Sequence, residues 1–289
     1  MKDLYKSLTI TIVLFKENFE LISKCLDKIK NFNIILIDND GNAYLKKKIE
    51  EKYNIQKYIL NNKNLGFSKA INQGIKNTET EFILNLEADC IIEEESIHKL
   101  YKAINHYEDC FITTPTMFNE NFELTQSGGA LMEKKLGYEV LQLDGDVCVD
   151  FAMTAAFLFR KQDMIDIGLF DENLFIYFPD CEIGRRIKKY KKSVIQIFDT
   201  QAIHTMGNLK IKNSLKKVFY RNYYFTLDEL IYYQKENLHS QILEKIRKKI
   251  PNLIKKLILN FVLFKFDKSI QYFSRILAYY NFRRIYLKK

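Results

Sequence analysis

Apolar residues in the first 200 positions form either continuous runs or stretches with helical spacing. The runs predict strands at 8–15, 33–38, 57–60, 81–86, 110–114, 149–160 and 193–198, of which the first is rich in β-branched residues and is expected to be buried. Apolar residues that recur every three or four positions predict helices at 67–76, 93–106 and 180–190. Strands that alternate with helices predict an α/β fold with a mostly parallel sheet and helices on both faces.

Beyond residue 207 the pattern becomes helical and basic, with aromatic residues interleaved. Residues 208–289 hold 19 Lys and Arg against 5 Asp and Glu, while the whole chain carries a net charge of +9. The first 207 residues are therefore net acidic. This change in charge predicts two parts, an α/β domain over 1–207 and a basic C-terminal helical region over 208–289.

Three interpretations of the basic region are open. Its helices could pack their apolar faces on the rest of the chain while the lysines stay solvated. They could lie on an anionic membrane surface, or they could form a platform for a partner protein. No recognition motif for nucleic acid accompanies the charge, so nucleic-acid binding is not expected.

Cysteine usage and hydropathy set the expected compartment. The five cysteines form no CxxC pair, so we expect reduced thiols rather than a zinc site or a disulfide framework. The N-terminal apolar run lacks a cleavage pattern, which indicates a strand rather than a signal peptide. Lysines interrupt the longest other apolar stretch, 253–266, so no bilayer span is expected. We therefore expect a cytoplasmic protein, with the inner face of the membrane as an alternative location.

Polar residues collect after three predicted strands, where open α/β sheets bind their ligands. These residues are Asp38 and Asp40, then Asn64 and Gly66, then Glu87 and Asp89. Glu87 and Asp89 are spaced so that both carboxylates could hold one hard divalent cation, which in turn could bridge diphosphate oxygens. The alternative for this pair is a set of turn acids or a helix N-cap.

The other two clusters also have a structural and a functional interpretation. Asp38 and Asp40 could simply form a turn, or a carboxylate there could accept hydrogen bonds from a base or ribose. Gly66 permits close backbone approach, and the helix that follows presents free N–H groups to an anion. Neither a GxGxxG fingerprint nor a Walker loop is present, so dinucleotide and P-loop chemistry are not indicated.

The motifs IDND, NLGFSKAINQG, LEAD and GLFDENLFIYFPDCEIGRR, in this order, resemble the family 2 glycosyltransferases with the GT-A fold. The resemblance extends over roughly residues 9–222 and is strongest to the bacterial rhamnosyltransferase-like branch. It implies an inverting transfer from a UDP-sugar such as UDP-GlcNAc, or from dTDP-rhamnose, with Mn²⁺ or Mg²⁺. The implied acceptor is a hydroxyl of a surface glycan, a lipid-linked glycan or a protein such as a flagellin-like subunit.

The resemblance also implies roles for individual residues. Those expected to bind the donor are Asp38, Asp40, Asn64, Gly66, Asn72, Glu87 and Asp89. Glu87 and Asp89 match the DxD-like metal site of the family, and His204 follows a strand, as does a histidine that joins the metal in some relatives. A single histidine at a strand end could equally be structural.

Asp180 matches the general base of the family. An inverting transfer needs a carboxylate to take the proton of the acceptor hydroxyl, and the apolar stretch 174–179 before Asp180 could raise its pKa. The structural alternative is an N-cap for a helix that begins near Cys181.

The sequence departs from the family pattern at several positions. Pro179 stands where the family usually has Glu, Thr154 replaces a small residue, and 14–16 lack the usual tyrosine. These changes put the donor and the acceptor in doubt. They also leave an alternative function open, a catalytically impaired nucleotide-sugar-binding protein or membrane-surface scaffold.

Overall fold

A computed structural model describes residues 2–131, 143–205, 214–235 and 239–286. The chain divides into two compact units. The first contains Met1–Asp171 and Pro179–Asn208, and the second contains Glu172–Phe178 and Leu209–Lys289. Within the described residues, no helix combines the length and the hydrophobicity that a membrane crossing requires.

Four parallel strands form one half of the main sheet, in the spatial order β3-β2-β1-β4. They are β1 (Leu8–Leu14), β2 (Asn33–Asp38), β3 (Lys57–Leu60) and β4 (Phe82–Glu87). The helices of this half are α1 (Lys2–Ser7), α2 (Phe19–Ile29), α3 (Ala43–Lys52) and α4 (Phe67–Asn77). β1, β2 and β4 are mostly apolar and almost wholly buried, as parallel strands covered on both faces require.

The other half of the sheet is mixed, which differs from the mostly parallel sheet that the sequence pattern predicts. Its strands are β5 (Cys90–Ile92), β6 (Cys110–Phe118), β8 (Val147–Val149), β10 (Ala156–Arg160) and β11 (Ser193–His204). β10 lies antiparallel to both β4 and β6, and among the strands named here β6 and β11 are the parallel pair. Apolar periodicity identifies a buried strand but carries no information about its direction, which explains the difference.

The apolar run 149–160 divides into two strands. Phe151–Ala152 forms β9, which pairs with β7 (Gly128–Gly129) in a small separate sheet, and the chain then enters the main sheet as β10. The remaining helices of the first unit are α5 (Glu94–His106), α6 (Lys161–Asp166) and α7 (Pro179–Lys189).

β11 is longer than the predicted strand 193–198. A bulge lies between Ile197 and Ala202, where the register with β6 shifts. Beyond the bulge, β11 pairs antiparallel with β5, and this register places His204 opposite Cys90. The extension therefore carries His204 to the turn that follows β4.

The second unit consists of helices α8 (Ser214–Lys235), α9 (His239–Val262) and α10 (Phe266–Tyr286), together with the segment 172–178. The buried carboxylate of Asp228 on α8 accepts hydrogen bonds from the backbone N–H groups of Phe175, Ile176 and Tyr177 at 2.9–3.1 Å. The sequence pattern offers no sign that this short segment groups with the basic helices. The predicted boundary at 207/208 lies in 206–213, outside the described residues.

Helix α7 approaches the chain around β9 very closely at Gly184. A Cβ atom at this position would lie 2.3 Å from the backbone oxygen of Asp150 and 2.8 Å from the Cβ of Phe151. By contrast, a Cβ atom at Gly145 would meet nothing within 4 Å. The absence of a side chain at Gly184 therefore allows α7 to pack at this distance.

We expect Gly184→Ala to lower the free energy of unfolding by about 1–3 kcal/mol, because the added methyl overpacks the contact with backbone atoms that cannot move aside. Thermal unfolding followed by circular dichroism measures the effect as a lower midpoint. Gly145→Ala is the matched control and should stay within about 0.5 kcal/mol of the parent. Equal midpoints for the two variants would show that the α7 contact tolerates a side chain.

Candidate active site

Three potential metal ligands converge at the end of β4. Glu87 is the last residue of that strand, Asp89 lies in the turn before β5, and His204 ends β11. The Nε2 atom of His204 lies 3.3 Å from Oε2 of Glu87 and 3.4 Å from Oδ1 of Asp89. One ligand atom from each residue lies within 4.8 Å of the others, a spacing at which they can share one cation.

The environment of this cluster favours positive charge. Burial by itself lowers the pKa of His204, but the hydrogen bonds and negative charges of Asp89 and Glu87 outweigh burial and raise it to about 10. The side chains of His204 and Asp89 are each only 14% exposed, so solvent screens the attraction between these two groups poorly, whereas Glu87 is 34% exposed. Carboxylate oxygens with one imidazole nitrogen are a donor set that fits a divalent transition metal such as Mn²⁺.

Thr154, which the sequence marks only as a departure from the family, orients one of these ligands. Its hydroxyl donates to Oε1 of Glu87 at 2.9 Å, and its own carbonyl accepts a hydrogen bond from the amide of Asn85. Asn85 is a buried polar residue inside the apolar strand β4. A polar residue within an apolar strand is the sequence feature that could have indicated this hydrogen bond to Thr154.

Asp38 is buried and holds the turn that follows β2. Its carboxylate accepts hydrogen bonds from the N–H groups of Asp40, Gly41 and Asn42 at 2.7–3.2 Å, and from the hydroxyl of Tyr58 at 3.1 Å. These four bonds match the turn interpretation of Asp38. Asp40 lies nearer the surface, with its Oδ1 atom 3.6 Å from Nζ of Lys16.

A chain of amide side chains joins the loops after β2 and β3. Asn39 donates to the carbonyl of Gly66 at 3.1 Å and accepts from Asn61 at 3.0 Å, while Asn61 also bonds to Gln73 on α4. Asn64 accepts the N–H of Gly66 at 2.9 Å. Gly66 precedes α4 with φ +84°, in the left-handed region that glycine adopts readily. The network thus fixes the N-terminus of α4. The sequence motifs contain Asn39 and Gln73 without assigning them a role, and Asn61 lies outside the motifs.

Asn72 makes a structural contact within the first unit. Its amide nitrogen donates to the carbonyl of Phe170 at 2.9 Å, and its amide oxygen accepts the N–H of Phe170 at 3.0 Å. Arg186 on α7 donates to the carbonyl oxygens of Ile167 and Leu169, and pairs with Glu182 at 2.7 Å. Two helices therefore hold the turn at 167–170 from opposite ends. Asn72 positions this turn, and the donor-binding role that the family resemblance implies for it stays a prediction.

Asp180 lies in the first turn of α7, which begins at Pro179 rather than near Cys181. Proline suits the first helical position because its missing N–H would have no partner there. Burial raises the pKa of Asp180 to about 6, a hydrogen bond from the N–H of Cys181 opposes this rise, and the negative charge of Glu87 adds to it. Asp180 is thus inside the helix rather than its N-cap, in the electrostatic field of the acidic cluster.

The comparisons with known proteins agree with this architecture. Residues 9–167, more than half of the chain, match the family described as "Glycosyl transferase family 2". The dTDP-rhamnosyl transferase RfbF of Shigella flexneri is 24% identical over 208 residues, which cover 70% of each chain. Glycosyltransferase GlyA of Streptococcus pneumoniae serotype 4 (strain ATCC BAA-334 / TIGR4) is 29% identical over 122 residues, 39% of this chain and 17% of GlyA.

Two solved structures share the fold. The mannosyltransferase PcManGT of Pyrobaculum calidifontis, in complex with GDP-Man and Mn²⁺, has a TM-score of 0.57 at 10% identity, covering 98% of this chain and 88% of its own. GalNAc-T7 with UDP, GalNAc and Mn²⁺ has a TM-score of 0.56 at 15% identity, covering 78% of this chain. This chain spans half of the GalNAc-T7 chain and about one sixth of GlyA. The α/β fold is the GT-A fold, and the chain belongs to glycosyl transferase family 2.

Proposed function

We propose that this protein is a metal-dependent inverting glycosyltransferase that moves a sugar from a nucleoside-diphosphate donor to a hydroxyl group. The observation that carries the proposal is the cluster of Glu87, Asp89 and His204. The negative charge of Glu87 also contributes to the raised pKa of Asp180. The family match and the nucleotide-sugar relatives support it.

The proposed donor is dTDP-rhamnose or a UDP-sugar such as UDP-GlcNAc. The name of the Shigella relative supports the first, and the UDP bound to GalNAc-T7 supports the second. Asp40 is the acid better placed to meet the base or ribose, since turn N–H groups and Tyr58 occupy the carboxylate of Asp38. Asn64 and Gly66 shape the loop before α4, whose free N–H groups favour a diphosphate.

Glu87, Asp89 and His204 are the proposed metal ligands. An imidazole ligand favours Mn²⁺ over Mg²⁺, because Mg²⁺ prefers an all-oxygen shell. When bound, such a metal stabilises the negative charge that develops on the departing nucleoside diphosphate. Thr154 keeps the Glu87 carboxylate oriented, and Asn72 keeps the turn at 167–170 in place.

Asp180 is the proposed general base. The oxygen of the acceptor hydroxyl forms a bond to the anomeric carbon while the bond from that carbon to the phosphate oxygen breaks. The electron pair leaves with the nucleoside diphosphate, and the hydroxyl proton moves to Asp180. With a pKa of about 6, Asp180 is mostly ionised at neutral pH and still basic enough to accept that proton. One displacement of this kind inverts the anomeric configuration.

The proposed acceptor is a hydroxyl of a surface glycan, of a lipid-linked glycan or of a protein such as a flagellin-like subunit. We further propose peripheral contact of the basic helical region with an anionic membrane, at its inner face. The alternative function, a catalytically impaired binding scaffold, rests on Pro179. Its place as the first residue of α7 leaves Asp180 in the first helical turn, so this substitution alone does not remove the base.

Donor turnover tests the metal cluster. With Mn²⁺ and a panel of nucleotide sugars, we expect release of nucleoside diphosphate, and Asp89→Asn should reduce it about 100-fold or more because a ligand charge is lost. The exposed acid Glu79 supplies the matched control, and Glu79→Gln should retain full release. Donor binding without release in the parent protein would favour the scaffold. Failure to bind any nucleotide sugar would overturn the proposed function as a whole.

The pH dependence tests the base. Asp180 works as a carboxylate, so turnover should be constant above its pKa and fall tenfold per unit as the pH drops below about 6. Asp180→Asn should lower kcat by about 10²–10⁴-fold and remove this limb of the pH profile, while donor affinity stays close to that of the parent. Undiminished release of nucleoside diphosphate by Asp180→Asn would exclude Asp180 as the base.

A further inference from the structure

The turn between α9 and α10 carries a continuous set of exposed apolar side chains. We name this set the apolar tip, and it consists of Leu259, Phe261, Val262, Leu263, Phe264 and Phe266. Phe264 is 78% exposed, the largest exposed fraction of any large hydrophobic side chain in the described residues. The rings of Phe261 and Phe264 each pack edge-on against Phe266, so the tip forms one aromatic surface. A contiguous exposed patch of this kind marks an interaction surface.

The backbone conformation at the tip does not favour a phenylalanine at position 264. The N–H of Lys265 bonds to the carbonyl of Asn260, and the N–H of Phe264 bonds to the carbonyl of Phe261, which is the Schellman pattern of a helix end. Phe264 takes the left-handed position of this motif with φ +56°, where Gly or Asn is ordinarily preferred. The ring of Phe264 is therefore exposed, and its backbone conformation is one that favours Gly or Asn over Phe.

Positive charge surrounds the tip. Between residues 248 and 286 the chain has nine Lys and Arg residues and one acid, Asp267. Lys255, Lys256, Lys265 and Lys268 are all exposed, and the last two flank Phe266. An exposed apolar segment with exposed lysines nearby in the chain complements an anionic lipid surface, where each basic residue contributes about 1 kcal/mol of attraction.

We propose that the apolar tip inserts into the headgroup region of an anionic bilayer, with the neighbouring lysines at the lipid phosphates. The inference rests on the proposed peripheral contact of the basic region and names the part that enters the membrane. The tip would lie at the interface rather than span it, in keeping with the absence of a membrane-crossing helix among the described residues. A second copy of this chain is a poorer occupant, because a symmetric contact would bring the same lysines together.

The chain contains no tryptophan, which allows a direct test of insertion. Phe264→Trp places one indole at the tip, and its emission should shift to the blue on addition of phosphatidylcholine vesicles that contain phosphatidylglycerol. Brominated lipids should quench this emission. Phe122→Trp is the matched control, since Phe122 is 67% exposed, has φ +59° and lies in the first unit. Its emission should not respond to the vesicles.

Vesicle binding is the second measurement. Phe264→Asn removes the ring and suits the left-handed backbone, so it should fold at least as well as the parent. We expect its partitioning onto the anionic vesicles to weaken at least about fivefold, because the apolar area of one aromatic side chain is lost from the interface. Phe122→Asn should bind like the parent, and both variants should keep donor turnover unchanged.

The outcomes separate insertion from the proposals on which it rests. Vesicle binding that salt abolishes, without any change in the emission of Phe264→Trp, would overturn insertion and leave the peripheral contact in place. A blue shift that depends on protein concentration without vesicles would assign the tip to a second copy and overturn the proposal. Absence of donor turnover in the parent protein would contradict the proposed function but not the proposed insertion, because vesicle binding needs no donor.

Discussion

The mutual repulsion of two carboxylates at the end of β4 is the constraint on which the rest of the site depends. Glu87 and Asp89 lie close together, and the side chain of Asp89 is only 14% exposed, so the pair favours a nearby positive charge. The extension of β11 beyond its bulge places His204 within 3.4 Å of both carboxylates, and a protonated His204 supplies this positive charge. In the proposed function, a divalent cation takes the place of the histidine proton among these ligands.

Hydrogen bonds from side-chain amide and guanidinium groups hold several loops of the first unit. Asn72 and Arg186 hold the turn at 167–170, and the amides of Asn39 and Asn61 hold the loops after β2 and β3. Bonds of this kind between buried polar groups are costly to break, because each released group would lack a partner. These hydrogen bonds therefore help to fix the conformations of the loops that they join.

The second unit uses its side chains in two different ways. Inside the unit, Asp228 accepts three backbone N–H groups and Tyr224 stacks on Phe175 at 3.9 Å between ring centroids, which orders the segment before Pro179. At the turn between α9 and α10, apolar rings stay in solvent among lysines. Packing explains the first arrangement, and the second is the surface that we propose to enter a membrane.

Local patterns in the sequence determined most of the strands, the helices and the family. Runs such as 33–38 are buried because β-branched residues favour a covered strand, and Glu87, Asp89 and Asp180 stand out by chemical type and order alone. Only the tertiary structure decided the direction of β10 and which polar side chains support the site. A hydrogen bond between residues as far apart in sequence as Thr154 and Glu87 produces no periodic pattern in the sequence, because it depends on which strands pair in the folded sheet.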